Sequence, residues 1–465
     1  MAHRIAVYGG TFSPPGLHHR RIAQELLRHF DQVMVVPCGP RPDKPCDVEP
    51  VYRAAMADLA FRGLEGVKVE LFDLEQATFT RTCELDGRYC KKGEVWHVVG
   101  TDLISDGRKG QSFIHRVWHR GPDLWRELNF AVIRRPGHDY HPEDLPPRHR
   151  FVDADHAGSS FTLREKLFRG ERVDDLISPA VADYLGRHRL YQGGAPSRQT
   201  RLAMTDPRLL LFYDERNEKA RGWAEQFRKY ERPDDPNCVL VIGGDGTMLR
   251  AIHRHWRLRV PFFGVNAGHL GFLLNNKEDV LDGKFPPAQI VSRPMPLLYV
   301  EMQKKDGTWM NGLTFNDVWV ERKTGQTAWL EVNIDGRVRL PKLVCDGVLM
   351  STAAGSTAYA RSMGAQPLLA DTPAWLLVGS NVMLPTNWKS ALLSLDARVE
   401  IRSLDTVKRP LEGYIYGEPA GEVIAVSARI SRIAAVELAF CPSHDITEKI
   451  SQIQFPVGPP VLPDH

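Results

Sequence analysis

The chain has 465 residues, 43% of them hydrophobic and 25% charged, which is too long for one ordinary core and unexceptional for globular protein, so two or three domains are expected. A formal net charge of +3 gives no case for nucleic-acid or membrane-surface binding, and no run approaches the ~18 apolar residues of a membrane helix. Seven cysteines, odd in number and without a CxxC pair, together with a strand-like run within four residues of the start, lead to the expectation of unpaired thiols, no signal peptide and a cytoplasmic location.

Ile5–Tyr8 reads as a strand, and Ile22, Leu26 and Phe30 repeat every four residues as one face of a helix. Val33–Val36 is the next strand, stopped by Pro37, so the start of the chain is a β–α–β unit with parallel pairing. Further strands are predicted at Glu94–Val99 and Phe130–Ile133. This alternation implies a doubly wound α/β sheet over 1–191, with ligands at the carboxyl ends of its strands. Gln192 to Ser197 is glycine- and proline-rich, and 192–207 reads as a linker. A second α/β segment follows at 208–289, with strands at Leu209–Tyr213, Val239–Ile242 and Pro261–Val265. From 290 to 442 helical periodicity gives way to alternation, as in Leu330, Val332 and Ile334 before an Asp335-Gly336 hairpin turn. Residues 443–465 read as a C-terminal tail.

Two strand-like runs end in glycines and are followed by helix-like sequence. Such a turn lets backbone N–H groups approach a phosphate beside a helix N-terminus. The first is Gly9-Gly10-Thr11-Phe12, followed by Pro14-Pro15 and by His18-His19 at a helix start. A histidine placed there is suited to hold a phosphate oxygen; a solvated helix start is the simpler reading of either histidine alone.

Residues 1–191 resemble the nicotinate/nicotinamide mononucleotide adenylyltransferases, whose opening reads roughly GGTFDPPHxGH. Arg41-Pro42-Asp43-Lys44 resembles the downstream PPHK segment, Arg53-Ala54-Ala55-Met56 an R-x-x-M helix, and Gly100-Thr101-Asp102 a G-x-D strand end. Gly158 to Arg164 resembles ISSTxIR, and Val181, Tyr184, His188 and Tyr191 resemble the closing V…Y…H-x-L-Y pattern. The resemblance implies a Rossmann-like nucleotidyltransferase in which the mononucleotide phosphate attacks the α-phosphate of ATP and pyrophosphate leaves. Gly9, Gly10, Thr11 and Phe12 would line the phosphates, with His19 as the catalytic histidine and His18 beside it. Lys44 and Arg164 would add cations, Gly100 and Asp102 would hold the adenosine part, and Ser160 would join the binding set. The sequence departs from the pattern where Gly16 replaces the first histidine, His18 the glycine, Ser13 the aspartate and Phe161 a threonine.

The second turn, Gly243-Gly244-Asp245-Gly246-Thr247, contains an acid. A carboxylate among phosphate-binding glycines would repel the ligand unless it binds Mg²⁺ or takes a proton, and helix capping is its plain alternative. The region from 208 to 440 resembles the NAD kinases. GGDGT, the segment Gly264 to Leu273, the pair Asn316-Asp317, Asp346-Gly347 and Gly355-Ser356-Thr357-Ala358-Tyr359 carry that resemblance. It implies an NAD-kinase-like α/β subdomain followed by a β-rich subdomain, and transfer of the ATP γ-phosphate to the 2′-hydroxyl of NAD's adenosine ribose. Asp245 would be the base and a possible Mg²⁺ ligand, with Gly243, Gly244, Gly246 and Thr247 around the phosphates. Asn316, Asp317, Asp346, Ser356, Thr357, Ala358 and Tyr359 would contact NAD, with Asp346 at its nicotinamide end. The sequence departs at Ala353-Ala354, Gly364-Ala365-Gln366, Met383 to Asn387 and Tyr416-Gly417-Glu418.

The two resemblances together imply a bifunctional enzyme using ATP, a divalent cation, nicotinamide or nicotinate mononucleotide, and NAD. A homo-oligomer is expected, without nucleic-acid or membrane partners. Two alternatives stay open: a nucleotide sensor with one or both domains inactive, and a nucleotidyltransferase of different substrate in the first half.

Overall fold

A computed structural model describes residues 3–41, 46–135, 137–138, 140–154, 158–195, 199–268, 271–280, 284–287, 289–442 and 446–455. The chain divides into two compact units, Met1–Ser197 and Arg198–His465.

In the first unit β1 (Arg4–Gly10), β2 (Gln32–Pro37), β3 (Val67–Val69), β4 (Glu94–Gly100), β5 (Asn129–Ile133) and β6 (His149–Val152) form a parallel sheet in the order β3-β2-β1-β4-β5-β6. Successive side chains of β1 enter different cores. Ala6 and Tyr8 pack with Ile22, Leu26 and Phe61, whereas Ile5 and Val7 pack with Leu85 and Tyr89. A parallel sheet covered on both faces therefore reads as an unbroken apolar run, as Ile5–Tyr8 does. The helix Leu17–Leu26 buries Ile22 and Leu26, and Phe30 lies beyond its end yet is buried in the same core. Strand order reverses between β1 and β4, so the Gly9-Gly10 turn and Gly100 end adjacent strands at the switch point where such sheets bind ligands.

In the second unit β7 (Thr200–Leu202), β8 (Leu209–Tyr213), β9 (Cys238–Gly243) and β10 (Phe262–Asn266) open a 15-stranded sheet among the described residues. β8, β9 and β10 are parallel, and β10 continues parallel to the end of the long strand Glu418–Phe440 through Phe262 opposite Leu438. That strand runs antiparallel to Ile290–Lys304 from Phe440 back to Val423, which makes it common to the α/β and β-rich parts. The predicted Asp335-Gly336 turn joins Ala328–Ile334 to Arg337–Cys345, with both turn residues at positive φ (54° and 73°).

Two segments expected to lack regular structure carry it. β7 lies inside the predicted linker and pairs with Ile290–Ser292, satisfying backbone groups of that strand's edge. The predicted tail contains the helix Ile446–Gln454, in which Ile446 and Ile450, four apart on one face, are fully buried. No helix of the described residues is long and apolar enough to cross a membrane.

Candidate functional site

In the first unit the chain leaves β1 through Gly9-Gly10 and turns at Phe12, which is buried with φ at 48°. A left-handed phenylalanine is costly, and the ring is held by edge contacts to Tyr8 (5.3 Å), Phe61 (5.7 Å) and His19 (5.1 Å). His19 sits in the first turn of the helix Leu17–Leu26. Its Nδ1 accepts the Gly16 N–H at 3.0 Å, so a neutral ring carries its proton on Nε2, as a phosphate-binding imidazole requires. His18 lies over His19, with ring centroids 3.9 Å apart. A Cβ at Gly16 would fall 2.7 Å from the His18 Nδ1, and one at Gly158 also 2.7 Å from it. The His18 imidazole thus fills the space into which a side chain at position 16 would project, the position at which the sequence lacks the expected histidine.

Sequence reasoning missed what shapes this turn. The buried Arg53 donates from Nε and Nη2 to the Thr11 carbonyl (3.1 and 2.8 Å) and from Nη2 to the Cys38 carbonyl (2.6 Å), joining the turn to the end of β2. Arg164 donates to the Ser13 carbonyl at 2.6 Å and Ser160 to the Pro14 carbonyl at 2.9 Å. Both residues, expected to touch nucleotide, have a donor committed to the loop, as carbonyls facing the helix Ser160–Phe168 need partners. The Tyr191 hydroxyl meets the Ser13 Oγ at 2.7 Å, and burial pushes its phenol pKa up. Asp102 follows β4 and pairs with Arg135 at 2.5 Å, while a Cβ at Gly100 would collide with the Asp102 carboxylate. Lys44 lies outside the described residues.

In the second unit Gly243 ends β9, Gly244 caps the helix Asp245–His255, and Asp245 is its first residue. Both oxygens of Asp245 are engaged: Oδ2 accepts the Phe272 N–H and Oδ1 the Leu273 N–H, each at 2.9 Å. Burial raises its pKa, opposed by those two donors and by Lys449. Lys449, in the helix at Ile446–Gln454, donates to the carbonyls of Gly271 (2.8 Å) and Leu274, and burial lowers its pKa against the pull of Asp245. Gly243 admits no Cβ because Thr247 Oγ1 would lie 2.5 Å from it, whereas Gly244 is open and a Cβ at Gly246 would meet only Arg250 Nη1, at 3.8 Å. The buried Asn275 donates to the Gly264 and Ala439 carbonyls (3.0 and 3.1 Å) and accepts from the Cys441 N–H (2.8 Å), tying the loop after β10 to the end of the long strand.

The remaining predicted residues form a second cluster. Asp317 opens the strand Asp317–Arg322 opposite Ser351, and burial raises its carboxyl to about 6. The neighbouring Asn316 Oδ1 is buried without a hydrogen-bond partner, an acceptor suited to a ligand's N–H. The turn at Ala354–Thr357 docks on this pair so closely that a Cβ at Gly355 would lie 2.5 Å from the Asn316 carbonyl oxygen. Ser356 and Thr357 hydrogen-bond back to the Ala353 (2.6 Å) and Ala354 (3.3 Å) carbonyls, so their hydroxyls shape the turn. Ala358 follows, and the exposed Tyr359 ring stands edge-on to Trp319 at 5.1 Å. Asp346 is elsewhere: it precedes Gly347, which pairs with Glu321, roughly 16 Å from Ser351 at a strand's rise per residue. Its oxygens accept from Arg322 (2.6 Å) and Asn381 (2.7 Å). The two clusters of this unit share a support. The His253 ring lies tilted against that of Tyr416, with centroids 3.8 Å apart, eight residues and about 12 Å along the helix from Asp245, and Tyr416 follows Ile415, the partner of Val318.

Among the described residues no three His, Cys, Asp or Glu side chains converge to hold a metal ion. Each Asp245 oxygen accepts one backbone N–H and keeps a second lone pair, so the geometry leaves room for the expected Mg²⁺ contact on this residue. A divalent ion here would have to arrive coordinated to nucleotide phosphates.

A family model described as cytidylyltransferase-like matches residues 7–167, and one described as the ATP-NAD kinase N-terminal domain matches residues 198–282. The NAD kinase of Xanthomonas campestris pv. campestris (strain 8004) is 35% identical over 229 residues, covering 48% of this chain and 87% of that protein. The NAD kinase of Rickettsia akari (strain Hartford) is 32% identical over 253 residues, covering 53% of this chain and 98% of that protein. Among solved structures, yeast NADH kinase complexed with NADH aligns with 57% of this chain and 93% of its own at 16% identity, with a TM-score of 0.47.

Proposed function

This chain belongs to the NAD kinase family and joins to it a cytidylyltransferase-like segment, and on that premise we propose that it catalyses two ATP-driven transfers in succession. In the second unit the γ-phosphate of ATP passes to the 2′-hydroxyl of NAD's adenosine ribose. Asp245 takes the hydroxyl proton as the new P–O bond forms, and ADP leaves. The observation that carries this reading is the fixed carboxylate at the head of a helix, between glycines and clamped by the Phe272 and Leu273 N–H groups. Burial raises its basicity, which suits proton abstraction. The unpartnered Asn316 Oδ1 and the largely buried Asp317 support binding of a polar ring at the other cluster.

In the first unit the phosphate of nicotinamide or nicotinate mononucleotide attacks the ATP α-phosphorus and pyrophosphate departs. No covalent intermediate on the protein is needed; positioning and charge neutralisation suffice. The His19 Nε2–H donates to an α-phosphate oxygen, and Gly9 leaves the backbone open to the phosphates, while Gly10 makes room for the Phe12 ring. His18 supplies the second imidazole from the space beside Gly16. A divalent cation accompanying ATP neutralises phosphate charge.

The test is product identification by mass with the purified chain, ATP and Mg²⁺, supplied separately with each mononucleotide and with NAD. Dinucleotide from one mononucleotide and NADP from NAD support both halves. Binding of all three without turnover would replace this reading with a nucleotide sensor.

A further inference from the structure

The loop Gly271–Leu274 is bracketed by opposite charges. Its central N–H groups, Phe272 and Leu273, point to the Asp245 carboxylate, and its outer carbonyls, Gly271 and Leu274, point to the Lys449 ammonium. Peptide dipoles so aligned are stabilised at both ends, and each end orders the other. Lys449 cannot be read as a surface lysine, because its helix is docked by the fully buried Ile446 and Ile450, which fixes where its stem emerges. The loop lies within the segment that the kinase model matches, and Asn275, directly after it, bridges Val265 of β10.

We propose that Lys449 is a positioning residue for phosphoryl transfer: by holding the Gly271 and Leu274 carbonyls it presents the Phe272 and Leu273 N–H groups that orient Asp245. The proposal rests on the reading of Asp245 as the base. Asp245 touches the reacting hydroxyl, and Lys449 touches no substrate: it acts through the loop it holds, with its charge also felt by the Asp245 carboxylate. With the ammonium removed, the two carbonyls face a low-polarity gap, the loop turns to satisfy them, and the carboxylate loses its fixed direction. Substrate contacts made elsewhere in the unit do not change. The C-terminal helix is then part of the catalytic apparatus, although it lies outside the segment 198–282 that the kinase model matches.

The experiment uses the full chain and measures steady-state NADP formation from NAD and ATP for the wild type, Lys449→Met, Lys449→Arg, Asp245→Asn and Asp245→Asn with Lys449→Met. Hydrogen exchange of the peptide spanning Gly271–Leu274 is followed in parallel. The expected results are a kcat at least tenfold lower in Lys449→Met with KM for NAD and ATP within twofold, partial recovery in Lys449→Arg, and faster exchange at Phe272 and Leu273. The double variant should be no slower than Asp245→Asn alone, since both changes remove one function. If Lys449→Met does not fold, Lys449→Leu, which likewise removes the donors, takes its place with the same expectations. A wild-type kcat in the lysine variant while Asp245→Asn is inactive overturns this proposal and leaves the kinase reading standing. A further tenfold loss in the double variant also overturns it. A wild-type rate in Asp245→Asn overturns the reading of the base and this proposal with it.

Discussion

The proton position on His19 follows from the Gly16 backbone N–H, a donor whose direction the chain cannot reverse. Replacing His19 by alanine is expected to lower the kcat for dinucleotide formation by about 10²–10³ and leave NAD phosphorylation unchanged, measured by separate assays on one preparation. Asp317 gives a pH-dependent prediction. Burial lifts its carboxyl to about 6, above the ~3.9 of an unfolded chain, so the native state holds the proton more tightly. Its contribution to stability is therefore present below pH ~4 and lost as pH rises through about 6. Asp317→Asn, neutral throughout, should be more stable than the wild type at pH 7.5 by up to roughly 3 kcal/mol and equal to it near pH 4, while weakening NAD binding. Melting curves at the two pH values check this; the same gain at both would contradict it.

At the scale of elements, the second site depends on a close backbone approach. Gly355→Ala places a methyl 2.5 Å from the Asn316 carbonyl oxygen and 2.6 Å from the Ser351 Oγ. The turn must then lift off the strand that begins at Asp317, at a cost of about 1–3 kcal/mol and with weaker NAD binding, read by denaturant titration and calorimetry. Gly158→Ala should likewise displace the His18 ring and slow dinucleotide formation without touching kinase kcat. Elements with a strong local signature were legible in the sequence. Ile5–Tyr8 and Val239–Ile242 are buried apolar runs, and each precedes glycines that a phosphate turn needs. Partners supplied by tertiary structure were not. Arg53 reads as a helix residue, and nothing local shows that it bonds the Thr11 and Cys38 carbonyls. Arg164 and Ser160 were picked out for their chemistry, yet each has a donor on the loop carbonyls. Asp346 was named for the nicotinamide end of NAD by motif, and the strand Gly347–Ser351 sets it apart from Asp317, a spacing that no local pattern in the sequence gives. Lys449 was invisible because two isoleucines four apart near a proline-rich end are too weak a pattern to mark a helix.

On the scale of the whole molecule, the account assigns one transfer to each unit, and the product of the first contains the ribose hydroxyl that the second phosphorylates. The order of the chemistry needs no assumption about how the units are arranged. It does require that each unit's reaction answer to its own glycine turn. The most direct measurement is product analysis by mass after incubating the wild type, His19→Ala and Asp245→Asn with ATP, Mg²⁺ and nicotinamide mononucleotide, with NAD supplied in a parallel arm. The account predicts NADP from the mononucleotide with the wild type, accumulation of NAD with Asp245→Asn, and NADP only in the NAD arm with His19→Ala. Loss of NADP from supplied NAD in His19→Ala, loss of NAD formation from the mononucleotide in Asp245→Asn, or wild-type output from both variants would contradict it.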